Sequence, residues 1–187
     1  LAADRSQREV QFGIAGLSIQ MKDWEDAEGD LLELKAAGFG DAGQVEFYLG
    51  QVAEERGRHD EAIARYRDVP DGERGWLAKL RIATVLGKQG KREEARRYLA
   101  DLPAVTIEQR VQVRQAEAQL FRDASDSKGA LAVLDQALTE LPDSTDLIYD
   151  RAMVLEKLDR IDDAEKALRR LVELKPDDAQ ALNALGY

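Results

Sequence analysis

Apolar residues recur along this chain at helical spacing, and small residues recur among them on a much longer period. Val45, Leu49, Val52 and Ala53 share one helical face over residues 45–56. Ala62, Ile63, Tyr66 and Val69 share another over 61–69, with Gly57 breaking the chain between them. Pro70, Asp71 and Gly72 then close the pair. The pattern predicts a hairpin of two helices, and the same grammar returns four more times. Ala27, Ala62, Ala95, Ala130 and Ala164 lie 35, 33, 35 and 34 residues apart. A second small series, Ala15, Gly50, Ala83, Ala118 and Ala152, runs twelve positions ahead and returns as Gly186. Two small positions on one period of about 34 residues predict a helical repeat array.

Registered on these alanines, the chain divides near 8–42, 43–75, 76–110, 111–144 and 145–178, with a sixth unit opening at 179–187. The fold class expected is all-α, a solenoid of about five helix hairpins spanning residues 1–187 as one domain. Gly or Ala is expected where the two helices of a hairpin cross, because a larger side chain would overpack the contact. Leu31, Tyr66, Leu99, Leu134 and Leu168, four residues after the anchor alanines, are expected to fill the neighbouring core. Pro70, Pro103, Pro142 and Pro176 each follow a second helix, where a missing N–H does least harm. Thr106 with Gln109 reads as a capping box. An unfinished helix from Ala179 makes the chain read as an excerpt of a longer protein.

Charge and composition narrow the function. A net charge of -10 argues against nucleic acid, which needs a concentrated cationic face. The pairs Arg96–Arg97 and Arg169–Arg170 are expected on a solvated outer helix face. The absence of cysteine excludes disulfides and thiolate metal sites, and is compatible with either cytosol or periplasm. No apolar run is long enough to span a membrane.

Candidate chemistry is sparse, and neither enzyme, cofactor nor metal is expected. His59 is the sole histidine; it is placed in the turn between two helices, exposed, with no serine paired to it. Gly38-Phe39-Gly40-Asp41-Ala42-Gly43 matches a dinucleotide-binding pattern in letters, but no strand precedes it, so a connection between units is expected. Asp23, Glu25, Asp26, Glu28 and Asp30 lack the spacing of a calcium loop and read as a solvated helix start.

Leu49-Gly50 and Leu185-Gly186 in first helices, Ala62 followed by Tyr66, and Pro142 and Pro176 twelve residues after Ala130 and Ala164 resemble the tetratricopeptide repeat family. Glu117 and Arg151 depart from its usual leucine, and Pro70 and Pro103 arrive four residues early. The resemblance implies a right-handed superhelix of hairpins whose first helices line a concave groove. Phe12, Gly16, Phe47, Gln51, Leu80, Thr84, Gln115, Gln119, Tyr149 and Met153 are then the positions expected to face it. Apolar anchors and amide groups together suit a bound protein or peptide. The family's clamp for a chaperone's terminal carboxylate needs lysine and asparagine there, and these are missing. The stretches Leu147–Leu158 and Ala181–Tyr187 further resemble repeat-rich outer-membrane lipoproteins of Gram-negative bacteria, among them adaptors that present substrates to a periplasmic carboxyl-terminal-processing protease. That resemblance implies a periplasmic scaffold anchored through its N-terminal side. The alternatives are a cytoplasmic module and a self-associating one, paired through Ala181, Leu182 and Leu185.

Overall fold

The computed structural model describes residues 2–39 and 41–185 of the chain. Eleven helices and no strands are found among these residues: α1 (Ala2–Gln20), α2 (Trp24–Ala36), α3 (Ala42–Glu55), α4 (His59–Arg67), α5 (Glu73–Lys88), α6 (Arg92–Ala100), α7 (Ile107–Asp123), α8 (Ser127–Glu140), α9 (Thr145–Lys157), α10 (Ile161–Leu174) and α11 (Ala179–Leu185). The chain forms two compact units, Leu1–Lys91 and Arg92–Tyr187. Within the first, α1 packs on α2 and α3 on α4; within the second, α7 packs on α8 and α9 on α10. Each second helix also meets the first helix that follows it, as α2 meets α3 and α8 meets α9.

The small positions behave as the period requires. All five anchor alanines are buried, as are Ala15, Gly50, Ala83, Ala118 and Ala152. Gly186, Gly40 and Tyr187 lie outside the described residues, so the sixth small position, the second half of Leu185-Gly186 and one glycine of the Gly38–Gly43 run are not placed. Leu31, Tyr66, Leu99, Leu134 and Leu168 are buried too. The glycine at 50 has its own cause: a Cβ built there would stand 2.7 Å from the Tyr66 ring. An alanine fits in the other four repeats, where leucine stands in Tyr66's place.

A third periodic series closes each hairpin. Lys22, Gly57, Gly90, Ser125 and Asp159, each five residues before an anchor alanine, all adopt positive φ between 57° and 77°. Each ends its first helix in the same way. At Gly57, the Gly57 N–H donates to the Glu54 carbonyl at 3.0 Å and the Arg58 N–H to the Ala53 carbonyl at 2.8 Å. The same two bonds recur around Asp159, where Asp159 donates to Glu156 and Arg160 to Leu155. These paired bonds satisfy helix-end carbonyls that would otherwise have no partner.

Boundaries differ from the sequence reading in instructive places. The first helix starts at Ala2, ahead of the unit boundary expected near residue 8. The fourth helix starts at His59, so His59 is a half-buried first-turn residue rather than an exposed turn residue. The left-handed Gly57 completes the reversal within two residues, and Asp60 and Glu61 complement the positive end of the new helix. Early prolines have a measurable effect. Pro70 and Pro103 follow second helices of only 9 residues, whereas Pro142 and Pro176 follow helices of 14. Thr106 and Gln109 do form the capping box.

Candidate functional site

The positions expected to face inward fall into two sets, one on α1, α3 and α5 of the first unit and one on α7 and α9 of the second. In the first set Phe12 and Phe47 are half-buried and locked into an aromatic cluster. Phe12 meets Tyr48 edge-on at 5.7 Å between centroids and Phe39 at 6.5 Å. Phe47 meets Tyr48 at 6.0 Å and Tyr66 at 5.6 Å. These rings hold α1, α3 and α4 together, so only part of each is available to a ligand. Gln51, Leu80 and Thr84 are half-buried, and the Thr84 hydroxyl donates to the Leu80 carbonyl one turn back at 3.3 Å. A Cβ at Gly16 would meet nothing within 4 Å, which leaves open space beside Phe12.

Beneath this surface lies a feature the sequence reading missed. The Glu54 side chain is completely buried. It accepts a hydrogen bond from the Tyr66 hydroxyl at 2.9 Å, pairs with Arg81 at 2.6 Å and with Lys88 at 2.8 Å. One carboxylate thereby ties α3 to α4 and to α5. Burial, reinforced by the Glu54 charge, pushes the Tyr66 phenol well above its ordinary range. The signal was present: a tyrosine in a core position needs a partner for its hydroxyl. Arg81 and Lys88 together compensate the buried charge, so losing one cation leaves the other in place, whereas losing both would strand the carboxylate away from water.

The second set is polar and already wired. Gln115 donates to Asp150 at 2.8 Å, and Arg122 lies 3.6 Å from the other oxygen of the same carboxylate. Gln119 donates to Asp123 at 2.5 Å and accepts from Arg122 at 2.9 Å. A peptide would share these amides with the protein rather than find them idle. Tyr149 and Met153 pack half-buried against the cluster of Ile148, Ala152, Ala167, Leu168, Leu171 and Ala181. Beside Gln115 opens a cavity of about 710 Å³, with Ile107, Val111, Leu141 and Pro142 as its apolar floor and Glu108, Glu140, Asp143 and Asp146 around it.

Other expected features resolve as structure. The described part of the Gly38–Gly43 run ends α2 and starts α3: Gly38 has φ +61°, and the Asp41 side chain caps α3 by accepting from the Gly43 N–H. Among the acidic cluster, Glu28 pairs with Arg56 at 2.7 Å and with Arg58 at 2.8 Å, and Asp30 accepts from Gln11. No group of three or more potential metal ligands occurs among the described residues, and no helix there is long and apolar enough to cross a membrane. Arg97, Arg169 and Arg170 are exposed, but Arg96 is a correction. Its guanidinium lies 5.1 Å from the Phe121 ring centre and pairs with Glu117 at 3.0 Å, because Glu117 replaces the leucine that would otherwise fill that place. Arg151, the other departure, pairs with Asp135 at 2.6 Å. Of the three apolar residues of α11 expected to drive pairing, two pack against the chain itself and Leu182 is half-buried. Ala181 is buried, and Leu185 packs on the same cluster as Tyr149 and Met153.

Comparison with known proteins agrees with this geometry. Two sequence models of the tetratricopeptide repeat family match, one over residues 2–73 and one over 121–186. A TPR repeat-containing protein of Pseudomonas aeruginosa is 33% identical over 141 residues, which are 75% of this chain and 24% of the relative. The chain thus spans about a quarter of that relative's length. A tetratricopeptide repeat protein from Parabacteroides merdae has a similar fold, with TM-score 0.57 at 16% identity over 96% of this chain and 71% of that one. A thermophilic repeat protein of Thermus thermophilus gives TM-score 0.54 at 16% identity, over 95% and 96% of the two chains. With its small positions, left-handed hairpin turns and paired helices all on one period, the chain belongs to the tetratricopeptide repeat family of protein-interaction scaffolds.

Proposed function

We propose that this chain is part of an adaptor that holds a partner protein along the inner faces of its first helices. The observation that carries this reading is the division of those faces. In the second unit, Tyr149 and Met153 are half-buried apolar side chains on α9, the helix whose Asp150 joins the committed network of Gln115, Gln119 and Arg122; in the first unit, Leu80 is half-buried on α5. Such a surface offers apolar anchors inside a polar frame that fixes register. Phe12 and Phe47 contribute their exposed edges, while their cluster keeps the platform rigid.

The finer proposal is a periplasmic lipoprotein adaptor that brings substrates to a carboxyl-terminal-processing protease. The resemblance of Leu147–Leu158 and Ala181–Tyr187 to such lipoproteins supports it. The test is biolayer interferometry between the chain and the purified protease of the same bacterium, repeated with Leu80→Glu and Gln119→Glu. Micromolar or tighter binding that falls at least about tenfold in the variants, a change of roughly 1.4 kcal/mol, supports both readings. Binding unaffected by the variants moves the site off the inner faces. No binding removes the protease as partner.

A further inference from the structure

One face of α1 is apolar and bare. Val10, Ile14 and Leu17 recur at intervals of four and three residues and are 61, 48 and 58% exposed, and Met21, in the turn just past the helix, is 80% exposed. On the other side of the helix, Phe12, Ala15 and Ile19 already pack against α2 and α3, so α1 is apolar on two faces and has spent only one. A surface helix of a soluble protein normally shows a single apolar stripe, which makes the second stripe an acceptor surface.

The repeat period says what that surface accepts. Advancing Val10 and Leu17 by one repeat gives Val45 and Val52 on α3, then Ala78 and Val85 on α5, Val113 and Leu120 on α7, and Leu147 and Val154 on α9. All eight are at most 8% exposed. In each case the helix that packs on them includes the second helix of the preceding hairpin: α2 on α3, α4 on α5, α6 on α7 and α8 on α9. Ile14 advances to Leu49 and Ile82, both buried, and then to Glu117 and Arg151, which pair with Arg96 of α6 and Asp135 of α8. The bare stripe of α1 is therefore the stacking face of a repeat, open where four equivalent faces are covered.

We propose that this face seats the second helix of a further tetratricopeptide hairpin in the same polypeptide. Its chemistry follows from the occupants already seen. It carries an alanine where α2 has Ala27 and large aliphatics four and seven residues on, like Leu31 and Leu34, with no charge opposite Ile14. A second copy of the chain is the weaker occupant, because four side chains offer far less than the roughly 800 Å² per partner that a stable dimer buries. A tethered hairpin needs no such area, since the linker sets a high local concentration. The inference rests on the repeat register and is independent of what the inner faces bind.

The chain contains no cysteine, which permits a direct test. Leu17→Cys and, as an exposed control on α4, Ala64→Cys are each placed in the full-length protein and in residues 1–187 alone, on a cysteine-free background. Maleimide labelling rates are then compared, with far-UV circular dichroism to confirm an unchanged helical signal. The expected result is that the two positions label within about threefold of each other in residues 1–187. In the full-length protein Leu17→Cys labels at least about fiftyfold more slowly than the control, as for a site reached only by local opening. Equal rates in the full-length protein overturn the proposal. Slow labelling in residues 1–187 that deepens with protein concentration also overturns it, in favour of a second copy.

Discussion

Gly50 and Tyr66 make a matched pair, and the match can be measured. A Cβ at Gly50 would lie 2.7 Å from Tyr66 Cε1 and 2.8 Å from Cδ1, against 3.4 Å for ordinary contact. The ring has little room to retreat: its hydroxyl is held by Glu54 at 2.9 Å and Phe47 stands 5.6 Å from its centre. Overpacking of this kind costs about 1–3 kcal/mol. Replacing a mid-helix glycine with alanine returns roughly 0.5–1 kcal/mol through backbone entropy. Gly50→Ala is therefore expected to destabilise the first unit by about 1 kcal/mol net, within a range of ~0–2.5. Gly16→Ala is the control, because its Cβ meets nothing within 4 Å, and it is expected to stabilise by about 0.5–1 kcal/mol. The decisive variant adds Gly50→Ala to Tyr66→Leu, which recreates the alanine–leucine pair of the other four repeats. In that background the alanine becomes neutral or stabilising, and the coupling appears in a double-mutant cycle. Urea titrations followed by circular dichroism at 222 nm provide the midpoints. If Gly50→Ala stabilises as much as Gly16→Ala, the steric explanation of the glycine is wrong.

Three further outcomes are expected. Lys22→Gly, Ser125→Gly and Asp159→Gly each relieve a positive φ and raise stability by about 1 kcal/mol, while Gly57→Ala lowers it by a similar amount; urea midpoints read both signs. Ala62→Leu, at a buried crossing, lowers the melting temperature by several degrees, whereas Ala64→Leu on the exposed side of the same helix leaves it nearly unchanged; equal shifts would refute the register. Asp178 caps α11 through the Gln180 and Ala181 N–H groups, and the Ala181 bond, followed by the Lys175 contact, holds its carboxyl below the usual range. A depressed carboxylate contributes stability above its unfolded value of 3.8, and that contribution disappears as pH falls through the folded value. Hydrogen exchange of the Ala181 amide should therefore gain protection from pH 2 to 5 once the intrinsic pH dependence is removed, and Asp178→Ala should abolish that gain.

The period was legible because small residues at helix crossings admit no substitutes, so Ala27 through Ala164 and Ala15 through Ala152 mark it without ambiguity. The hairpin turns were half legible. Gly57 and Gly90 are visible as glycines, but Lys22, Ser125 and Asp159 occupy the same left-handed position without the residue that signals it. Tertiary packing of the flanking helices tolerates their strain. The positions expected to face inward rest on the family resemblance, and their engagement was not legible in the sequence. Whether Gln115 is idle or bound to Asp150 depends on a residue 35 positions away on the next first helix. Glu54 was hidden for the same reason. Its partners Tyr66, Arg81 and Lys88 come together only after three helices have packed.

A chain made of repeated segments that share one stacking pattern faces a hazard that ordinary domains do not, because a hairpin could stack on the wrong neighbour during folding. Apolar contacts such as those of Leu49 and Ile82 discriminate poorly between partners. Glu117 and Arg151 discriminate well. Against a helix without Arg96, Glu117, only 13% exposed, would sit as a nearly buried carboxylate with fewer partners; against one without Asp135, Arg151 would lose its own. Each mispairing forfeits a charge-assisted contact that the proper neighbour supplies. The two departures from the usual leucine thus give the α6–α7 and α8–α9 contacts a partner preference that apolar packing alone does not supply.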